Sequence, residues 1–205
     1  MTSLKFKKAA MFGLDARIAL AIFGALSVIS GAALYSAIGK SNATAVIADM
    51  REVGKAWESY YLDTGSTLPV RSATVSDWKH YSYNLSGLVQ SNSVSGWNGP
   101  YISHPLSTVP EYLDYERFTN SSILMEVLTD KDWSATTWEN EVCNDASDTC
   151  YVWVGFNGLN NATLISNMDE IVDGGDGAGS GDLRWVPSNL LTRVHLKIAP
   201  IKNPN

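Results

Sequence analysis

The feature that most constrains this chain is the run Ile18 to Ile38, IALAIFGALSVISGAALYSAI, 21 residues without a charge. Asp15 and Arg17 bound it on one side and Lys40 on the other. At a rise of about 1.5 Å per residue, a helix of that length spans roughly 30 Å, the hydrocarbon thickness of a bilayer. Gly24, Gly31, Gly39 and the pair Ala32-Ala33 suit close helix–helix approach in lipid better than they suit a helix in water. Length and position near the N-terminus favour a membrane span over a buried core helix.

The flanks decide what kind of span it is. Met1 to Gly13 carries Lys5, Lys7 and Lys8 and no acid, the basic flank of a cytoplasmic side. A secretory signal is the competing reading, with Ser36-Ala37-Ile38-Gly39 as its small-residue cleavage site. Two features oppose it. The run is longer than a usual signal core, and helical patterning continues past it. Val46, Met50, Val53, Trp57 and Tyr60 or Tyr61 recur in steps of three and four, while Asp49, Arg51, Glu52, Lys55 and Glu58 fill the other faces. The pattern stops at Asp63-Thr64-Gly65, where Gly65 can end a helix. One helix from Leu14 to Leu62 is therefore expected, about 74 Å long, apolar all round in its first half and amphipathic in its second.

A basic leader ending in Phe12-Gly13, followed by an apolar run that flows into an amphipathic helix, resembles a type IV pilin or type II secretion pseudopilin. The resemblance continues in Tyr60-Tyr61-Leu62-Asp63-Thr64-Gly65 with Leu68-Pro69 after it. Gly96-Trp97-Asn98-Gly99-Pro100-Tyr101-Ile102 is similar to the Trp-x-Gly-Pro-Tyr segment of major pseudopilins. These pieces cover roughly residues 1 to 102, with a weaker echo near 158 to 184. The resemblance implies a cut by a prepilin peptidase between Gly13 and Leu14, on the cytoplasmic side, and N-methylation of the new terminus. It divides the chain into a leader (1–13), a membrane and filament-core helix (14–39) and a periplasmic head (40–205). It also implies self-assembly into a helical filament through an inner-membrane assembly platform. The family usually carries Glu at the fifth mature position, where this chain has Ile18. In the family that glutamate is thought to pair with a neighbouring subunit's terminal amine. Asp15 could take the role from another register, or pair with Arg17.

The composition agrees with one anchor and one modest folded domain: 205 residues, 45% hydrophobic, seven Trp and nine Tyr. The formal charge is −6, and loss of the three leader lysines takes it to −9. That acidity excludes a nucleic-acid groove, which needs a basic stripe. Cys143 and Cys150, in CNDASDTC, lack the spacing of a redox pair and have no His nearby in sequence for a metal. They read as a disulfide formed outside the cytoplasm, clamping a hairpin that enters through Trp138 to Val142 and leaves through Tyr151 to Phe156.

Ser86-Gly87-Leu88-Val89 reads as one helical turn in an otherwise irregular stretch from Pro69 to Ser95. Strands are expected at Ser122 to Thr129, Tyr151 to Phe156 and Leu191 to Ile198. In the last, alternation puts Val194, Leu196 and Ile198 on one face, and Arg193, His195 and Lys197 on a wet one. Asn160 or Asn161 caps a short helix whose Leu164, Met168 and Ile171 face inward. Its end is acidic and glycine-rich: Asp169, Glu170, Asp173, Asp176 and Asp182 offer oxygen ligands for a hard cation such as Ca²⁺. Major pseudopilins bind calcium in a comparable late loop; the alternative is a solvated loop whose aspartates serve turns.

No catalytic motif emerges. Gly39-Lys40-Ser41 lacks the first glycine of a phosphate loop, and His80, His104 and His195 are scattered. The sequence reads as an α+β structural subunit, a long N-terminal helix packed on a small antiparallel sheet, and not as an enzyme. The Trp97–Tyr101 loop and the acidic loop are the candidate head-to-head surfaces. Two rivals remain: a permanently anchored periplasmic binding domain, and a secreted glycan-binding protein cut near Gly39.

Overall fold

The computed structural model describes residues 5–109, 111–133, 138–186 and 192–204. The side chains of residues 5–12, 14 and 138 lie outside that description. Helix α1 runs unbroken from Lys5 to Thr64. It therefore begins before Leu14, the start expected for it, and passes through the Gly13–Leu14 peptide without interruption. A lone helix-interior glycine costs only about 1 kcal/mol, too little to break a helix whose neighbours all favour it. Gly65, at φ +66°, ends α1, and its N–H donates to the Tyr61 carbonyl at 2.8 Å.

The chain divides into two units, Met1–Ser41 and Asn42–Asn205. In the first, every large apolar side chain from Ile18 to Ile38 is exposed; Phe23 is 70% and Tyr35 76% accessible. This stretch makes α1 long and apolar enough to cross a membrane. In the second unit the opposite holds. Ala43, Val46, Ile47, Met50, Val53, Ala56, Trp57 and Tyr60 are buried in one continuous core with the sheet. The register of the sequence pattern is resolved in favour of Tyr60, which is fully buried, while Tyr61 stays exposed and stacks on Trp57.

The sheet is antiparallel throughout and has five strands: β1 (Leu113–Asp114), β2 (Ser122–Thr129), β3 (Cys150–Asn157), β4 (Leu183–Val186) and β5 (Arg193–Ile201). Their order is β1-β2-β3-β5-β4, so the final strand lies inside the sheet. A bulge on β5 opposite Val152 and Trp153 offsets the register there. Helix α2 is the single turn Ser86–Val89, and α3 spans Ala162–Val172 with Asn161 as its cap: the Asn161 side chain accepts from Leu164 N–H at 3.0 Å. Leu164, Ile165 and Met168 are buried, but Ile171 is exposed, because the buried face of α3 runs through 164, 165, 168 and 169 and leaves 171 at its edge.

Three further expectations need correction. Trp138–Glu141 forms a 3-10 turn and not a strand, and only Val142 bridges to Leu128. The disulfide Cys143–Cys150, with Cα atoms 5.7 Å apart, thus fastens a loop to the first residue of β3. Val194 and Leu196 are buried as expected, but His195 is fully buried too. The segment around Trp133 covers the face of β5 that was expected to be wet.

Candidate functional site: the acidic loop and the face beneath it

The acidic loop is built on the C-terminal end of α3. Asp169 and Asp173 are four apart, one helical turn, so their carboxylates leave the same side of α3. Gly174, Gly175 and Gly177, with φ between +74° and +103°, then fold the chain back, a path closed to most other residues. That return brings Asp176 to the other two. Carboxylate oxygens of Asp169, Asp173 and Asp176 lie within 4.8 Å of one another. Asp182, the fourth residue expected there, turns away: its carboxylate meets Lys197 Nζ at 2.5 Å.

The cluster is electrostatically loaded. Like charges about 4 Å apart repel by about 1 kcal/mol in water and about 4 kcal/mol near a protein surface. Asp169 is only 5% accessible; its Oδ2 accepts from Gly177 N–H at 3.2 Å, and its buried Oδ1 has no hydrogen-bond partner. Burial, and after it the neighbouring Asp176 and Asp173, push this carboxyl above the usual aspartate range, against the pull of the Gly177 N–H. Asp173 is employed structurally: its two oxygens accept from Asp182 N–H at 3.0 Å and Leu183 N–H at 2.7 Å. A divalent cation would offset the repulsion and satisfy the orphaned oxygen, and all-oxygen donors suit a hard ion. A cavity of about 340 Å³ opens beside Asp169, between α3 and the Trp185 ring.

Beneath the loop lies a group of side chains that sequence reasoning missed. On the face of the sheet shared by Glu126, Trp153 and His195, His195 Nε2 is 3.2 Å from Glu126 Oε2. Arg193 Nη1 stands 3.6 Å from the other Glu126 oxygen. Gly155 lies between them; a β-carbon there would press on Leu124 and on His195. Burial pulls the His195 imidazole below its ordinary value, against the opposing pull of Glu126. Trp133 closes the group, its ring 5.3 Å from both His195 and Trp153.

Arg184, on β4, joins this face to the loop. Its side chain lies over Trp153 and Trp133, and its three nitrogens donate to Gly181 O at 2.8 Å, Lys131 O at 2.6 Å and Asp130 O at 3.2 Å. Trp133 N–H completes the brace by donating to Gly179 O at 2.8 Å.

The remaining expected residues are placed as follows. Gly13 and Leu14 lie within α1, with Gly13 exposed. Asp15 and Arg17 are exposed on the same helix, and two residues apart their side chains leave on nearly opposite sides. That separation removes their pairing with each other and leaves Asp15 facing outward. The Trp97–Tyr101 loop, expected as a contact surface, is tied to the end of α1 and to α2, with Asn98 and Pro100 exposed. Tyr101 Oη donates to Asp63 at 3.0 Å, and Trp97 Nε1 donates to Gly87 O at 2.8 Å.

Comparison with protein-family models, with curated proteins and with solved structures returns no match.

Proposed function

We propose that this chain is a structural subunit of a type IV pilus-like or type II secretion pseudopilus filament. It is cut by prepilin peptidase after Gly13 and held in the bacterial inner membrane with its head in the periplasm. It then assembles with copies of itself through α1 on an inner-membrane platform. One observation carries the reading: α1 is a single helix whose large apolar side chains from Ile18 to Ile38 are exposed, while Ala43 to Tyr60 supply buried residues to the core of the head. A helix hydrophobic all round must be covered, by lipid or by other helices. Lipid before assembly and neighbouring subunits after it supply both covers. The heads would meet head to tail, in contacts that propagate rather than close.

The acidic loop fits the same reading as a Ca²⁺ site, with Asp169, Asp173 and Asp176 as ligands. The cation would hold the three carboxylates of the loop together. A calorimetric titration of the full chain in detergent micelles should give binding heat that is lost in Asp176→Asn.

The processing claim is tested on protein from a native membrane fraction by N-terminal sequencing and intact mass. A start at Leu14, with or without a methyl group, supports the filament reading. A start at Met1 or near Gly39 overturns it. A permanently anchored periplasmic binding domain is the second reading, while Ile18, standing where the family carries glutamate, points to an atypical or minor subunit within the first. The anchored reading requires the start at Met1.

A further inference from the structure

The buried Glu126–His195 pair has no role in filament assembly as proposed, yet the fold encloses it with care. Trp133 closes it, and Trp133 itself is held in two ways: by ring packing on Trp153 and His195, and by its N–H bond to Gly179 in the acidic loop. Gly179 packs so closely that a β-carbon there would run into the Trp133 carbonyl. Arg184 clamps the same two segments, with Gly181 on one side of its guanidinium and Asp130 and Lys131 on the other.

We infer that the acidic loop, the 130–133 segment and the Glu126–His195 pair form one two-state unit in which cation occupancy at the loop determines whether Trp133 covers His195. The inference rests on the cation reading of Asp169, Asp173 and Asp176 given above, and adds a consequence to it. Without a cation, three carboxylates within 4.8 Å repel one another across a turn of positive-φ glycines. Relief comes from moving residues 174–181 outward. That movement breaks the Trp133–Gly179 bond and pulls on the Arg184 fork. Trp133 then loses its backbone tie to the loop, and its ring is released from His195. A bound cation reverses the sequence by favouring the closed loop, since a ligand shifts an equilibrium by its differential affinity for the two states. Arg184 is the positioning residue: it touches no ligand, and it transmits the state of the loop to the sheet.

The readout is the ring-proton resonances of His195, which Trp133 shifts by its ring current. They are followed by NMR at fixed neutral pH in the full chain in detergent micelles, assigned with His195→Gln, as Ca²⁺ is added to chelator-treated protein. Calorimetry runs in parallel on the same sample. We expect binding heat together with a shift of the His195 resonances while those of His80 and His104 stay put. Asp176→Asn, an exposed position, should lose both signals. Arg184→Lys keeps the positive charge but not the fork; it should keep the heat and lose most of the His195 shift. Heat with no movement of His195 overturns the coupling and leaves the cation reading standing. No heat overturns the cation reading and the coupling with it.

Discussion

His195 sits neutral and enclosed in the head, with Glu126 on β2, Arg193 on its own strand, Arg184 paired opposite it on β4, and Glu139 from the Trp138–Glu141 turn as the charged groups around it. The folded imidazole resists protonation because burial penalises its charged form more than Glu126 rewards it. The unfolded chain, titrating near about 6.5, takes the proton first as the pH falls. The stability contribution is therefore full above about pH 6.5 and is lost as the pH drops below it, with a limiting slope of about 1.4 kcal/mol per pH unit. Urea unfolding from pH 7.5 to 5 should show this slope, and His195→Gln should flatten it while lowering stability throughout. Little of this was legible from β5. Alternation assigned His195 to water because the cover over it comes from an irregular segment, which has no periodicity to read. The sign lay on β2 instead. Glu126 is a single acid within the apolar run SILMEVLT, and a buried acid needs a partner.

At the scale of elements, the amphipathic half of α1 was the most readable part of the chain, because one face repeats for five turns against one core. It packs tightly on the sheet at Gly54, where a β-carbon would stand 2.9 Å from Ile198 Cγ2. Gly54→Ala gains about 1 kcal/mol of helix propensity against that crowding, so the two effects nearly offset. Gly54→Leu has no such relief and should cost about 1–3 kcal/mol in urea unfolding, by overpacking. The disulfide was legible as a pair of cysteines but not in its setting. Trp138–Glu141 lacks alternation and proved to be a 3-10 turn, while the two-residue β1 and four-residue β4 are too short to leave a pattern. The bond closes a short loop whose ends are also fixed by Asn203, which donates to the Asp145 and Asp148 carbonyls. Replacing Cys143 and Cys150 by Ser together should cost about 2–3 kcal/mol, read by the same unfolding experiment under oxidising conditions.

The chain divides into two units with opposite burial: among the described residues, 42–204 bury a continuous core, and the apolar side chains of 18–38 are exposed. That division was the clearest message of the sequence, since hydropathy over 21 uncharged residues needs no tertiary information. The acidic site was half legible. Asp169, Asp173 and Asp176 were named among the candidate ligands from composition alone, but setting Asp182 aside required knowing that Lys197 would claim it. Ile29→Lys, at the middle of the apolar run, should cost about 2.5–3.5 kcal/mol of insertion free energy. Alkaline carbonate extraction should release more of this variant than of the unaltered chain, while urea unfolding of the head stays unchanged. The strand order β1-β2-β3-β5-β4 sets a clock on biogenesis. β3 and β4 cannot join until residues 193–201 slide between them, so the sheet is the last thing to close as the chain is made. A chain made N-terminus first thereby carries an open sheet until residues 193–201 exist, and only then can its head lock.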